Sequence, residues 1–239
     1  MSAHITFYWL SNSRAQRILW LLEELEVPYT LEKFYRDPVT FLAPPEFKAL
    51  HPLGASPLLK ITEADGSSFL LAESGAIVQY LTEIYAGGKL GVTKEQGLKE
   101  YSEYISWLHW AEGSAFEPFM IKIFLAFMPH VCASNKEILA TSSETFTAAA
   151  LVPRMQKYFS FLETSLAGKE HLVGDSFTGA DAMVILPVEY IEAFAGLQEY
   201  PNIAAWLERM RKRPAFLRAE EKGDKVDPRV FVGCLQKGE

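Results

Sequence analysis

A chain of 239 residues, 49% hydrophobic and 22% charged, has the make-up of an ordinary globular protein, with length for one large domain or two small ones. Its net charge of −7 leaves no electrostatic footprint for nucleic acid or an anionic membrane, so neither is expected as a partner. Cys132 and Cys234 form no CxxC and the five histidines form no HExxH, which argues against a disulfide scaffold and gives no metal site.

In chain order, "ITFYWL" (Ile5–Leu10) reads as a strand. From Ser13 the period becomes helical, with Ile18, Leu21, Leu22 and Leu25 on one face and Pro28 closing the segment. "YTLEKFYR" (Tyr29–Arg36) predicts a second strand, and "PEFKAL" a short helical turn. "LLKIT" and "SFLLA" flank Asp65-Gly66, a hairpin signal. Ile77, Tyr80, Leu81, Ile84 and Tyr85 then form an amphipathic helix entered at Ser74. The order β-α-β-α-β-β-α implies a parallel crossover followed by an antiparallel hairpin, hence a small mixed sheet with helices on its faces.

"AGGKLGVT" (Ala86–Thr93) is the natural linker. Beyond it no strand is expected. Helical periods run through Tyr101–Phe127, Met155–Leu166, Asp181–Phe194 and Ile203–Met210. In "SFTGADAM", Thr178 with Asp181 three residues on reads as a capping signal, structural in purpose. "RMRKR" (Arg209–Arg213) reads as the solvated face and C-terminal end of a helix. The expected organisation is residues 1–85, a linker 86–93, a helical unit 94–222 and a tail 223–239. With no run of about 18 apolar residues and no N-terminal signal pattern, the protein is expected in the cytoplasm without an integral membrane segment.

Four motifs in order carry a resemblance: "SNSRAQRILWLLEEL", "GASPLL" preceded by "LHPL", "LAESGAIVQYL" and "FTGADAM". Together with the element order, the chain resembles the cytosolic glutathione transferase superfamily, most of all fungal and bacterial members of serine type. The resemblance implies an α/β thioredoxin-like N-terminal domain with a mixed four-stranded sheet and an all-α C-terminal domain. Glutathione would be the co-substrate and a small hydrophobic electrophile the second. A homodimer is the family's habit.

Residue roles follow from that resemblance. Pro57 opens a strand; by sequence alone a trans proline at an edge would suffice. The family's cis-proline instead implies a Ser56–Pro57 bond that turns the Ser56 N–H and C=O toward an extended peptide, the cysteinyl unit of glutathione. Ser74 reads as a plain N-cap, or as a hydroxyl and N–H offered to the γ-glutamyl carboxylate, with Glu73 on the α-ammonium. His51 resembles the contact to the glycyl end, or is a solvated loop histidine; Lys48 serves the same carboxylate as an alternative.

For activation, a thiol of pKa about 8.5 needs roughly 2.7 kcal/mol to fall by about two units. A charge-assisted hydrogen bond gives about 1.5–3 kcal/mol and a helix N-terminus about 0.3–2. One hydroxyl at a helix start therefore suffices. Ser13 stands at the expected N-cap, with Ser11 and Asn12 as the other candidates and Arg14 adding positive potential. Tyr8 lies within the strand and no cysteine stands at this turn, which disfavours tyrosine-type and thiol-exchange chemistry. Trp107, Trp110, Phe116, Phe119 and Met120 are candidates for the electrophile pocket, with a core-facing stripe as the other reading and Pro118 expected to bend the helix. Conjugation is the expected reaction, with reduction of organic hydroperoxides close to it. The alternatives are a non-catalytic binding or regulatory module of the same fold, and a biosynthetic enzyme or isomerase dedicated to one metabolite.

Overall fold

The computed structural model describes residues 4–132 and 135–230. Residues 231–239 of the expected tail, with Cys234, lie outside the described residues. The N-terminal unit comprises β1 (His4–Leu10), α1 (Ala15–Leu25), β2 (Tyr29–Phe34), α2 (Pro45–Lys48), β3 (Leu58–Thr62), β4 (Ser68–Ala72) and α3 (Ser74–Gln79), which continues as a π-helical segment over Tyr80–Tyr85. The sheet order is β2-β1-β3-β4: β1 pairs parallel with β2 and antiparallel with β3, and β3 pairs antiparallel with β4. This is the small mixed sheet that the element order predicts, in the thioredoxin-like arrangement that the resemblance implies.

The uninterrupted apolar run of β1 has a physical reason. Ile5, Phe7 and Trp9 enter the main core with α1, whereas Tyr8 and Leu10 face Phe47 of α2. A strand covered on both faces reads as continuous rather than alternating hydrophobicity. β2 stops at Phe34, two residues short of the expectation, because its partner β1 ends at the paired Leu10. Arg36 leaves the ladder, and its N–H donates to Ser11 Oγ at 2.9 Å.

The second unit is helical among the described residues: α4 (Leu98–Trp110), α5 (Glu117–Val131), α6 (Lys136–Phe146), α7 (Val152–Ser165), α8 (Gly179–Ala195), α9 (Pro201–Arg211) and α10 (Pro214–Lys222). A π-helical segment, Ala111–Phe116, joins α4 to α5, so Pro118 falls in the first turn of α5, where a missing N–H costs least. The expected Thr178–Asp181 capping box is present: the Thr178 N–H donates to Asp181 Oδ2 at 2.9 Å. Asp181 is also a hub, accepting from the Leu172 N–H and the Trp206 indole. Burial pushes its carboxyl up, against these hydrogen bonds.

The two units are knitted through α1. Trp20 packs edge-on against Phe216 and at a tilt against Phe177. Trp9 Nε1 donates to Gln16 Oε1, whose amide donates to the Ala219 carbonyl at 2.8 Å. The basic run expected to be solvated is in part an interface: Arg213 pairs with Glu24 of α1 at 2.5 Å, and Arg211 with Glu192 at 2.7 Å. No helix among the described residues is long and apolar enough to cross a membrane.

Candidate active site

Strand register assembles the site. Tyr8 pairs with Leu58, and Leu58 with Ala72, so the C-terminal end of β1, the start of β3 and the C-terminal end of β4 lie together at one end of the sheet. Ser11–Arg14, Ser56–Pro57 and Glu73–Ser74 follow or precede those strand ends. Loops at the ends of a rigid sheet are where binding groups are usually carried.

The Ser56–Pro57 peptide is cis, and Ser56 stands two residues ahead of the paired ladder, which begins at Leu58. Ser13 Oγ lies 3.0 Å from Ser56 Oγ. It also donates to the Leu10 carbonyl at 2.7 Å and accepts from the Ala15 N–H at 3.1 Å. With the Ser13 hydrogen given to Leu10, Ser56 is the donor between the two hydroxyls. The N–H groups of Ser13 and Arg14, just before α1, have no acceptor among the described residues. They point to unmet donor capacity at a helix start.

The two alternatives at this turn have other tasks. Ser11 Oγ accepts from the Arg36 N–H and its carbonyl from Arg36 Nε, tying β1 to the loop after β2. Asn12, at φ 50°, accepts from the Asp227 N–H of the C-terminal segment at 3.1 Å.

Glu73, not Ser74, occupies the cap position of α3, at φ 72° and without a side-chain capping bond. Ser74 is only 3% exposed, and its hydroxyl has no hydrogen-bond partner among the described residues. A buried hydroxyl without a partner costs about 1–3 kcal/mol, so the plain-cap reading does not account for it. His51 Nδ1 accepts from the Leu53 N–H within its own loop. Pro57 is buried.

A cavity of about 530 Å³ opens between the units, with Ser13 and Ser56 on one wall. Phe116, Met120, Phe124 and Leu186 supply apolar lining; Arg14, Arg36 and Tyr190 supply polar lining. Of the expected pocket residues, Phe116 and Met120 are in this wall. Trp107, Trp110 and Phe119 are not: Trp107 stacks on Phe161, Trp110 packs edge-on against Trp107, and Phe119 is fully buried against Phe159 and Tyr190. These three serve the aromatic core of the helical unit.

Arg14 also bridges the units. It pairs with Glu112 at 3.0 Å and lies 4.5 Å over the Phe116 ring, while buried Arg17 binds the same carboxylate. Burial alone pushes the Glu112 carboxyl up; the Arg17 and Arg14 guanidiniums outweigh it and hold it low. Arg36, Glu112 and Tyr190 were not legible as site residues, since Arg36 reads as strand and Tyr190 as part of a hydrophobic helix. Among the described residues no three His, Cys, Asp or Glu side chains cluster as metal ligands would.

A family model for the glutathione S-transferase N-terminal domain matches residues 13–84, and one for the C-terminal domain matches residues 117–214. Glutathione S-transferase 1 of Saccharomyces cerevisiae is 30% identical over 228 residues, covering 91% of this chain and 94% of its own. A crystal structure of a glutathione S-transferase from Actinobacillus pleuropneumoniae superposes with a TM-score of 0.75 at 33% identity, covering 97% of this chain and 98% of that one. A glutathione transferase from Pseudomonas putida, solved with one glutathione disulfide per subunit, shares the fold at a TM-score of 0.68 and 21% identity, covering 90% of each chain.

Proposed function

The chain belongs to the glutathione S-transferase family, and on that footing we propose that it binds reduced glutathione, stabilises its thiolate and conjugates it to hydrophobic electrophiles. Glutathione is held by residues 1–85, and the electrophile between that unit and residues 94–222. The observation that carries this reading is the Ser13–Ser56 hydroxyl pair on the wall of the cavity between the units. The Ser56 backbone, ahead of the ladder, pairs with the cysteinyl unit as an added strand would. Ser74 Oγ takes the γ-glutamyl carboxylate and Glu73 the α-ammonium, with His51 toward the glycyl end. The thiolate then meets Ser13 Oγ and the open N–H groups before α1. Reduction of hydroperoxides by the same thiolate fits the same geometry.

Following the ultraviolet absorbance of bound thiolate with pH, in wild type and Ser13→Ala, tests the reading. Bound glutathione that titrates at its free pKa would leave a binding module. The cytoplasm is the proposed location. A homodimer is proposed as well, supported by exposed Phe69, Leu70 and Ile84 around β4 and the extension of α3. Sedimentation is expected to give a two-chain mass, and a monomer at tens of micromolar would refute the pairing.

A further inference from the structure

Two faces of α5 border empty space. Met120, Ile123, Phe124 and Phe127 line the cavity that holds Ser13 and Ser56. Lys122, Leu125, Ala126 and Pro129, at the same i, i+3, i+4, i+7 spacing, line a second cavity of about 450 Å³ toward α6 and the start of α7. The two cavities share no lining residue. The second exists because small side chains meet there: Ala126 from α5, Ala140 from α6 and Ala148 from the π-helical segment Thr147–Leu151. Its floor needs no water. Pro129 has no N–H and so frees the Leu125 carbonyl four residues back, and Ser143 Oγ donates to that carbonyl at 3.2 Å. Lys136 and Glu144, both exposed and opposite in charge, also line the space. Lys122 differs from them. It is half-buried, its ammonium lies 5.3 Å from the centre of the Phe194 ring, and it makes no ion pair among the described residues. A half-buried cation met only by a ring face keeps most of its charge unanswered.

An apolar trough beside one unanswered cation calls for an occupant with a single anionic head and a hydrocarbon body. The volume lies within the range of about 300–1,000 Å³ typical of small-molecule sites. From Lys122 to Pro129 the helix advances about 10 Å, so an alkyl chain of medium length spans the floor. The net charge of −7 speaks for a free acid rather than the surface of an anionic bilayer. We propose that this cavity is a second ligand site, separate from the one between the two units, and that it takes a medium-chain alkyl carboxylate. The carboxylate pairs with Lys122, and the chain runs over Leu125, Ala126 and Ala140 toward Pro129. Binding there is non-covalent and needs neither glutathione nor the Ser13 turn.

The probe is decanoate, titrated calorimetrically into the full chain. One molecule per chain is expected at this site. Octanoate should bind about fifteen-fold more weakly, about four-fold for each buried methylene lost. Lys122→Gln keeps the packing and is expected to weaken decanoate about five-fold, the upper worth of a partly exposed ion pair, while leaving decanol unchanged. Ala140→Phe fills the floor and should abolish binding of both. Crystals soaked with 10-bromodecanoate should show the bromine between α5 and α6 by anomalous scattering. A bromine beside Phe116 and Met120, with an affinity that neither substitution alters, places the acid in the other cavity and overturns the proposal. Absence of binding to wild type overturns it as well. So does a fall in sedimenting mass on Ala140→Phe, because a second copy of the chain would then be the occupant.

Discussion

Beside Tyr190, Glu189 is 8% exposed, with Arg211 at 3.5 Å and Glu192 and Glu220 adding like charge. Burial pushes its carboxyl up to about 7 in spite of Arg211. A carboxyl raised on folding favours the folded state fully below its unfolded pKa of about 4.3, and that contribution is lost as pH rises through 7. The rise corresponds to about 4 kcal/mol. Glu189→Gln is therefore expected to raise the melting temperature at pH 8 by several degrees and to change it little at pH 4.5, since Arg211 keeps Glu192 at 2.7 Å. Thermal scans at the two pH values check this; an equal effect at both contradicts it. At the same scale the structure revises what Ser13 alone can do. Its hydrogen is already given to Leu10, so donating to a thiolate exchanges one bond for a stronger one. The net gain is about 0.5–2 kcal/mol rather than the full value, and the open N–H groups of Ser13 and Arg14 supply the rest. The family resemblance singled out Ser13, Ser56 and Ser74, and the strand register gathers them at one end of the sheet. What letters do not carry is how each candidate at the turn is engaged: Ser11 Oγ accepts from the Arg36 N–H, Asn12 Oδ1 accepts from the Asp227 N–H, and Ser13 Oγ donates to the Leu10 carbonyl.

Elements marked by a sustained apolar run or a capping signal were readable, and those without either were not. α8, bounded by the Thr178 cap and Gly196, matches its expected span within two residues at each end. α6 escaped notice because its sequence KEILATSSETF is rich in Ser and Thr, with Ile138 and Phe146 exposed, so no stripe marks it. α10 is nine residues long and is anchored by contacts distant in sequence, Phe216 on Trp20 and Arg218 on Glu23. The close approach of α8 to α3 and α4 was equally invisible. A Cβ on Gly179 would stand 2.5 Å from Val78 Cγ1 and 2.8 Å from the Tyr104 hydroxyl. Gly179→Ala is thus expected to cost about 1–3 kcal/mol in urea unfolding, as overpacking does. An unchanged midpoint would mean that α8 is free to shift.

Across the whole molecule, local motifs fixed each unit's fold class, while the contacts between units come from pairings of high sequence separation. Arg14 and Arg17 meet Glu112 across nearly a hundred residues, and Glu24 meets Arg213 across nearly two hundred. Those ties set the cavity, which has one wall from the thioredoxin-like unit and the other from α5 and α8. Spacing along α4 and α5 could not separate wall from core, which is why Trp107 and Phe119 fall in the core, half-buried Trp110 packs against it, and Phe116 and Met120 stand in the wall. The central claim is that this architecture holds glutathione as a thiolate beside Ser13. It is tested most directly by titrating the ultraviolet absorbance of the bound thiol. The account predicts an apparent pKa about two units below the free value of about 8.5 in wild type, rising by about one unit in Ser13→Ala but not in Ser11→Ala. A bound thiol that titrates at its free value, or a pKa that Ser13→Ala leaves unmoved, would contradict it.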